Sequence, residues 1–121
     1  MPVRCLIVDD NSEFLHSAVT LLEGQGFEVV GVAMTGAEGL ERAAQLRPDV
    51  ILVDAFLGEE SGLDVVRQLA AEDRNAGSAI ILISSYSEPD FAECTEASGV
   101  AGFLRKAELS VRAIRSLLGA G

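Results

Sequence analysis

The stretch VRCLIVDDN (residues 3–11) sets an apolar run directly against two neighbouring aspartates. Cys5 to Val8 are four consecutive residues of the kind that protein interiors bury, so both faces of a strand here would be apolar. A strand buried on both faces is typical of a parallel sheet covered by helices. Two adjacent carboxylates repel each other unless water screens them or a positive group lies nearby. The stretch therefore predicts a central strand that ends in an acidic pair.

The rest of the chain alternates between strands and helices. Strands are predicted at Val3–Asp9, Phe27–Ala33, Asp49–Asp54, Ser78–Ser84 and Val100–Arg105. Helices are predicted to begin at Asn11 or Ser12, Thr35, Gly62, Glu88 and Ser110. Strict alternation with right-handed crossovers predicts an α/β fold, a single five-stranded parallel sheet with (βα)5 connectivity and helices on both faces. The length of 121 residues predicts one domain, residues 1–121.

Composition excludes several classes of function. A hydrophobic fraction of 49% is ample for one core, and a net charge of −10 disfavours direct binding to nucleic acid or to an anionic membrane. No apolar stretch reaches the ~18 residues needed to span a bilayer, and the N-terminus has no secretory cleavage pattern. We therefore expect a soluble, cytoplasmic protein.

Reactive side chains stand at the predicted carboxyl ends of four strands. Asp9 and Asp10 end the first strand, Asp54 the third, Ser84 the fourth, and Lys106 follows the fifth. The carboxyl edge of such a sheet is where ligands bind, so we expect these groups to converge. Three carboxylates can hold a proton or attract a hard divalent cation, and Mg²⁺ suits a site with few protein ligands. An aspartate beside such a cation, a lysine and a hydroxyl could accept a phosphoryl group.

Four segments resemble the receiver domain of two-component response regulators. They are LIVDDN, DVILVDAFLGEESGLDVVRQL, IILISSY and ASGVAGFLRKAEL, in the order and spacing of that family, and the resemblance covers essentially the whole chain. It implies a flavodoxin-like (CheY-like) fold and a role as phosphoacceptor in two-component signalling. Asp54 is then the implied phosphoacceptor.

The resemblance also assigns the metal ligands. Asp9, Asp10, Asp54 and the backbone carbonyl of Phe56 would bind Mg²⁺ (or Mn²⁺). Phe56 and Tyr86 are bulky residues beside the acceptor and the switch serine, and we expect them to shield the phosphoryl group from water.

The resemblance implies that further residues bind the phosphoryl group or change position when it is present. Ser84 and Lys106 would hold it, and Phe103 would turn inward when Ser84 moves toward it. That change would remodel the face made by the fourth helix, fifth strand and fifth helix. Ala107 stands where many members have proline after a cis bond, so the Lys106–Ala107 bond is either a costly cis bond or trans.

The implied partners are a sensor histidine kinase or phosphotransfer protein and a downstream output domain or protein, with a phosphorylation-dependent homodimer also open. One alternative function is an aspartate-nucleophile phosphatase, which would need a second acid where Phe56 stands. Another is a flavin-binding module, whose phosphate would be repelled by Asp9 and Asp10. The more serious alternative is a receiver-like interaction module that acts without phosphorylation.

Overall fold

A five-stranded parallel sheet lies at the centre of the protein. The computed structural model describes residues 2–58, 60–72, 77–85 and 101–118. The strands of the central sheet are β1 (Arg4–Val8), β2 (Glu28–Ala33), β3 (Val50–Asp54), β6 (Ala79–Ser84) and β7 (Gly102–Arg105). Their order is β2-β1-β3-β6-β7, with every neighbouring pair parallel. The predicted α/β fold with one five-stranded parallel sheet is confirmed; each strand begins one or two residues later than predicted, and only β1 also ends earlier, by one residue.

Four α-helices connect these strands or follow them in the described part of the chain. They are α1 (Ser12–Gly24), α2 (Gly36–Leu46), α3 (Gly62–Ala71) and α4 (Val111–Leu117). Polar side chains cap three of them: Asn11 accepts from the Phe14 N–H, Thr35 from Glu38 and Ser110 from Ala113, at 3.0–3.1 Å. None of the described helices is both long and apolar enough to span a membrane.

The helices cover both faces of the sheet, as the double-sided apolar pattern predicts. Cys5 and Ile7 point into a core cluster shared with α1 and α4, whereas Leu6 and Val8 point into a second cluster shared with α2 and α3. This separation follows from the alternation of side chains along a strand. All four residues are fully buried, and the residue at which β1 leaves the sheet is Asp9.

The structure departs from strict alternation after β3. Two short antiparallel strands, β4 (Phe56–Leu57) and β5 (Glu60–Ser61), form a hairpin where the sequence predicted only a loop. Gly58 within the hairpin has a φ of 62°, a left-handed conformation that glycine adopts readily.

The structure decides the prediction for the Lys106–Ala107 bond, whereas several other predicted features lie outside the described residues. No cis peptide bond occurs in the described residues, so the Lys106–Ala107 bond is trans, and Lys106 opens a 3₁₀ turn at Lys106–Glu108. The helix predicted near Glu88 lies outside the described residues, as do Tyr86 and the beginning of the fifth predicted strand at Val100.

Candidate functional site

Three aspartates meet at the carboxyl edge of the central sheet. Asp9 follows β1 directly, and its N–H still donates to the Ala33 carbonyl of β2 at 2.9 Å, so the sheet fixes its backbone. Asp54 is the last residue of β3, which is the neighbour of β1. Carboxylate oxygens of Asp9, Asp10 and Asp54 lie within 4.8 Å of one another. The predicted convergence of these acids is therefore present in the structure.

The two aspartates of the pair differ in environment. Asp9 is fully buried, and its Oδ1 accepts a hydrogen bond from the Asn11 N–H at 2.9 Å. Its Oδ2 lies 2.6 Å from the Lys106 ammonium as an ion pair, yet receives no hydrogen bond of good geometry among the described residues. Asp10 is exposed to solvent. The negative pair is thus balanced by lysine on its buried side and by water on the other.

Lys106 reaches the acids from the opposite side of the site. It follows β7, the edge strand, and its ammonium contacts Asp54 Oδ2 at 3.4 Å as well as Asp9. Its side chain is only 13% exposed, and the ammonium also lies 4.3 Å from the centroid of the Phe14 ring. The trans bond to Ala107 therefore still brings the lysine to both buried carboxylates.

Asp54 is buried and holds its proton more strongly than an ordinary aspartate. Its Oδ1 accepts a hydrogen bond from the Phe56 N–H at 3.2 Å. Burial above all, and then the charge of Asp9, raise the pKa of Asp54 from its ordinary 3.8 to about 6, despite the Phe56 N–H and the Lys106 ammonium, which lower it. The carboxyl group is therefore mostly ionised at neutral pH and available as a nucleophile.

Ser84 and Phe103 occupy the two strands beyond Asp54. In the sheet register Asp54 lies opposite Ile83, so Ser84 is one residue further toward the carboxyl edge on the neighbouring strand. Ser84 is fully buried, and Arg105 lies opposite it on β7. Phe103 is half-buried and packs against the core cluster of α2 and α3. Their roles in binding or switching stay predictions.

Gly62 and Phe14 contact the site although sequence reasoning did not assign them to it. A Cβ built on Gly62 would lie 2.0 Å from the Asp54 carbonyl oxygen, so the first residue of α3 leaves no room for a side chain there. A glycine at the start of the helix after the acceptor loop could have suggested such a close approach. Phe14 lies four residues after Asp10, but only the folded sheet brings Lys106 to it.

The acidic residues fit a hard divalent cation. The three carboxylates offer oxygen ligands, and the buried Asp9 Oδ2 lacks a well-formed hydrogen bond in the described part of the chain. Mg²⁺ binds through a small number of carboxylates and keeps several waters, and the exposed face of Asp10 leaves room for them. The Lys106 ammonium already occupies one side of Asp9, so an incoming cation has to share that carboxylate or displace the lysine.

The chain matches a known family over nearly its whole length. The family model described as "Response regulator receiver domain" matches residues 5–117. The chemotaxis protein CheY of Thermotoga maritima is 28% identical over 117 residues, covering 97% of this chain and 96% of that protein. A protein-glutamate methylesterase/protein-glutamine glutaminase of Alkalilimnicola ehrlichii is 35% identical over 109 residues, covering 88% of this chain but 27% of that protein.

Solved structures support the same comparison. A response regulator protein from Burkholderia pseudomallei, with a phosphorylated aspartic acid, a calcium ion and citrate, superposes with a TM-score of 0.83 at 28% identity. The match covers 96% of this chain and 66% of that one. Other curated relatives, the methylesterase among them, are much longer than CheY, and this chain spans only about a quarter to a half of their length.

Proposed function

Because this chain belongs to the family of response regulator receiver domains, we propose that Asp54 accepts a phosphoryl group from a partner histidine kinase or phosphotransfer protein. The observation that carries the proposal is the arrangement around Asp54. One carboxylate oxygen accepts the Phe56 N–H, and the other lies 3.4 Å from a lysine ammonium. A buried nucleophile with a cation and a backbone donor beside it suits phosphoryl transfer, in which positioning and charge stabilisation do most of the work.

The reaction requires one bond to form and one to break. A carboxylate oxygen of Asp54 attacks the phosphorus atom, which forms an acyl phosphate. The phosphorus–nitrogen bond to the partner's histidine breaks at the same time, and its electron pair returns to the imidazole nitrogen, which then takes a proton from solvent. Asp54 is only 6% exposed, so its burial would limit the access of water, a competing nucleophile, to the acyl phosphate.

Asp9, Asp10, Asp54 and the carbonyl of Phe56 are the proposed ligands of Mg²⁺ (or Mn²⁺). Bound Mg²⁺ would supply positive charge that balances the negative oxygens of the phosphoryl group. The three carboxylates are close enough together to share one cation, as their mutual distances of at most 4.8 Å indicate.

Lys106 and Ser84 are the proposed binding groups for the phosphoryl oxygens on Asp54. Lys106 needs only a small movement, because its ammonium already lies beside Asp54. Ser84, on the neighbouring strand, would donate a hydrogen bond from its hydroxyl to a phosphoryl oxygen, and Phe103 would move when Ser84 moves. The output would be a change of the surface around β7 and α4, read by a downstream output domain or protein.

The wider setting is proposed from the family. Receiver domains are generally not enzymes, and we propose that residues 1–121 form one such domain, which promotes only its own phosphorylation. The cytoplasm is the proposed location. The net charge of −10 opposes direct contact of this domain with nucleic acid, so any such activity would belong to an output partner.

Intact-mass measurement after incubation with Mg²⁺ and acetyl phosphate tests the proposal. We expect one added phosphate on the wild type and none on Asp54→Asn. Asp64→Asn is the matched control, because Asp64 is an exposed aspartate on α3 that pairs only at the surface with Arg67. If the wild type gains no phosphate under any donor or metal condition, the alternative of an interaction module that acts without phosphorylation is favoured.

A further inference from the structure

Phe14 places an aromatic ring against the ammonium that serves the acidic site. The Lys106 Nζ lies 4.3 Å from the ring centroid, well inside the distance at which an aromatic face attracts a cation. The lysine side chain is 13% exposed, so water screens this attraction less than at an open surface. Phe14 itself is half-buried and rests on the core cluster of α1 and α4.

A contact that holds the Lys106 side chain in place is needed because β7, which Lys106 follows, is far from the strands of both aspartates. It leaves the sheet at the edge strand β7, with β6 between it and β3, and both β6 and β3 between it and β1. With strands about 4.8 Å apart, Asp54 lies roughly 10 Å and Asp9 roughly 14 Å across the sheet from that strand. A four-carbon stem is too short to cover this distance alone, so the backbone that follows β7 must carry Lys106 toward the acids, and many conformations of the flexible side chain would still miss both carboxylates.

Phe14 is fixed to the same turn as Asp9. The Asn11 N–H donates to Asp9 Oδ1 at 2.9 Å, and the Asn11 side chain accepts from the Phe14 N–H at 3.1 Å. This short chain of hydrogen bonds links the first turn of α1 to the buried aspartate. The backbone that carries the aromatic ring is therefore tied to Asp9, and the ring and Asp9 Oδ2 both contact the Lys106 ammonium.

We propose that Phe14 is a positioning residue, whose ring holds the Lys106 ammonium where it can bind a phosphoryl group on Asp54. The inference rests on the proposed function, since Lys106 matters to catalysis only if Asp54 is phosphorylated. A purely structural role would require only an apolar side chain of similar size at this position. Leucine would satisfy that role, whereas the positioning role requires the electron-rich face of an aromatic ring.

The first measurement is made on the metal-free protein and does not depend on activity. In the NMR spectrum we expect the ε-methylene protons of Lys106 to be shifted upfield by the Phe14 ring current. The shift should vanish in Phe14→Leu and persist in Phe14→Tyr. An unshifted Lys106 signal in the folded wild type would overturn the inference, whatever the protein does with phosphate.

The second measurement is the rate of phosphorylation by acetyl phosphate at saturating Mg²⁺. We expect Phe14→Leu to be roughly three- to tenfold slower, and Phe14→Tyr to be close to the wild type. Pentafluorophenylalanine at position 14 keeps the ring shape but reverses its charge distribution, so it should be as slow as leucine. This variant also decides the question if Phe14→Leu fails to fold.

The outcomes separate the two claims. Equal rates for wild type, Phe14→Leu and the fluorinated variant would overturn the positioning role while leaving Asp54 as the acceptor. If the wild type itself accepts no phosphate, the proposed function fails, and a role of Phe14 in phosphorylation fails with it even when the ring-current shift is present.

Discussion

Asp54 is expected to destabilise the fold at neutral pH. Its pKa is raised from 3.8 to about 6 in the folded protein, chiefly by burial, so the folded state binds the proton more tightly than the unfolded state. The stability that this preference contributes is fully present below about pH 4 and is lost as the pH rises through about 6. A neutral amide at the same position does not undergo this loss.

We therefore expect Asp54→Asn to be more stable than the wild type at pH 7, by roughly 1–3 kcal/mol in metal-free buffer. The difference should shrink toward zero below pH 4, where Asp54 is protonated in both states. Urea unfolding at a series of pH values measures it. Asp64→Asn, at an exposed site on α3, should give a difference that changes little with pH, and an equal pH dependence in both variants would contradict the assignment to Asp54.

Asp9 and Asp10 are expected to bind the metal without being needed for folding. The two aspartates repel each other, and Asp9 is buried. The pair is therefore unfavourable unless a metal cation balances it in addition to Lys106. Replacing both with Asn should abolish Mg²⁺ binding and phosphorylation, while the free energy of unfolding stays unchanged or rises. Mg²⁺ titration followed by NMR, together with urea unfolding, measures both. A double variant that is phosphorylated at the wild-type rate would refute this role of the pair.

The contact between α3 and β3 fixes the backbone of the acceptor. Gly62 opens α3, and its N–H donates to the Ala55 carbonyl at 2.9 Å, while its Cα faces the Asp54 carbonyl with no space for a methyl group. Gly62→Ala should force the helix away from the strand, lowering the free energy of unfolding by about 1–3 kcal/mol. It should also slow phosphorylation, because Asp54 moves.

Gly24→Ala is the matched control for this prediction. Gly24 ends α1 and has open space where a Cβ would lie, so alanine there should be neutral or slightly stabilising. Thermal melts and phosphorylation rates of the two variants check both claims. A Gly62→Ala protein that is as stable and as active as Gly24→Ala would contradict the close-packing account.

The central strands and helix starts could be predicted because local chemistry decides them. Cys5 to Val8 are apolar on both faces, and Thr35 and Ser110 are side chains that cap helices. The hairpin β4–β5 could not be predicted, because two-residue strands carry too little periodicity and depend on the positive φ of Gly58. The approach of Phe14 to Lys106 joins residues 92 positions apart, which only the tertiary fold determines.

The sheet order explains how a change of charge at Asp54 could alter the surface at the edge strand β7. Asp54 ends the middle strand of the five, β6 carries Ser84 beside it, and β7 with Phe103 forms the edge. Gly102 on β7 is packed tightly against Leu117 of α4, where an added Cβ would lie 2.6 Å from a leucine methyl group. A movement of β7 must therefore also move α4, since packed interiors transmit displacement.

We accordingly expect a phosphoryl mimic on Asp54 to perturb β7 and α4 but not the far edge of the sheet. With beryllofluoride and Mg²⁺, NMR shifts should change at Phe103 and Ile114, while Val29 on β2 stays constant. Ser84→Ala should retain mimic binding but lose most of the change at Phe103, because the hydroxyl that links Asp54 to β7 is gone. Ser85→Ala, one residue further along at an exposed position, should behave as the wild type. If Phe103 responds equally in both serine variants, the signal reaches β7 by another route, for which Lys106 would be the first candidate because it directly joins Asp54 to the end of that strand.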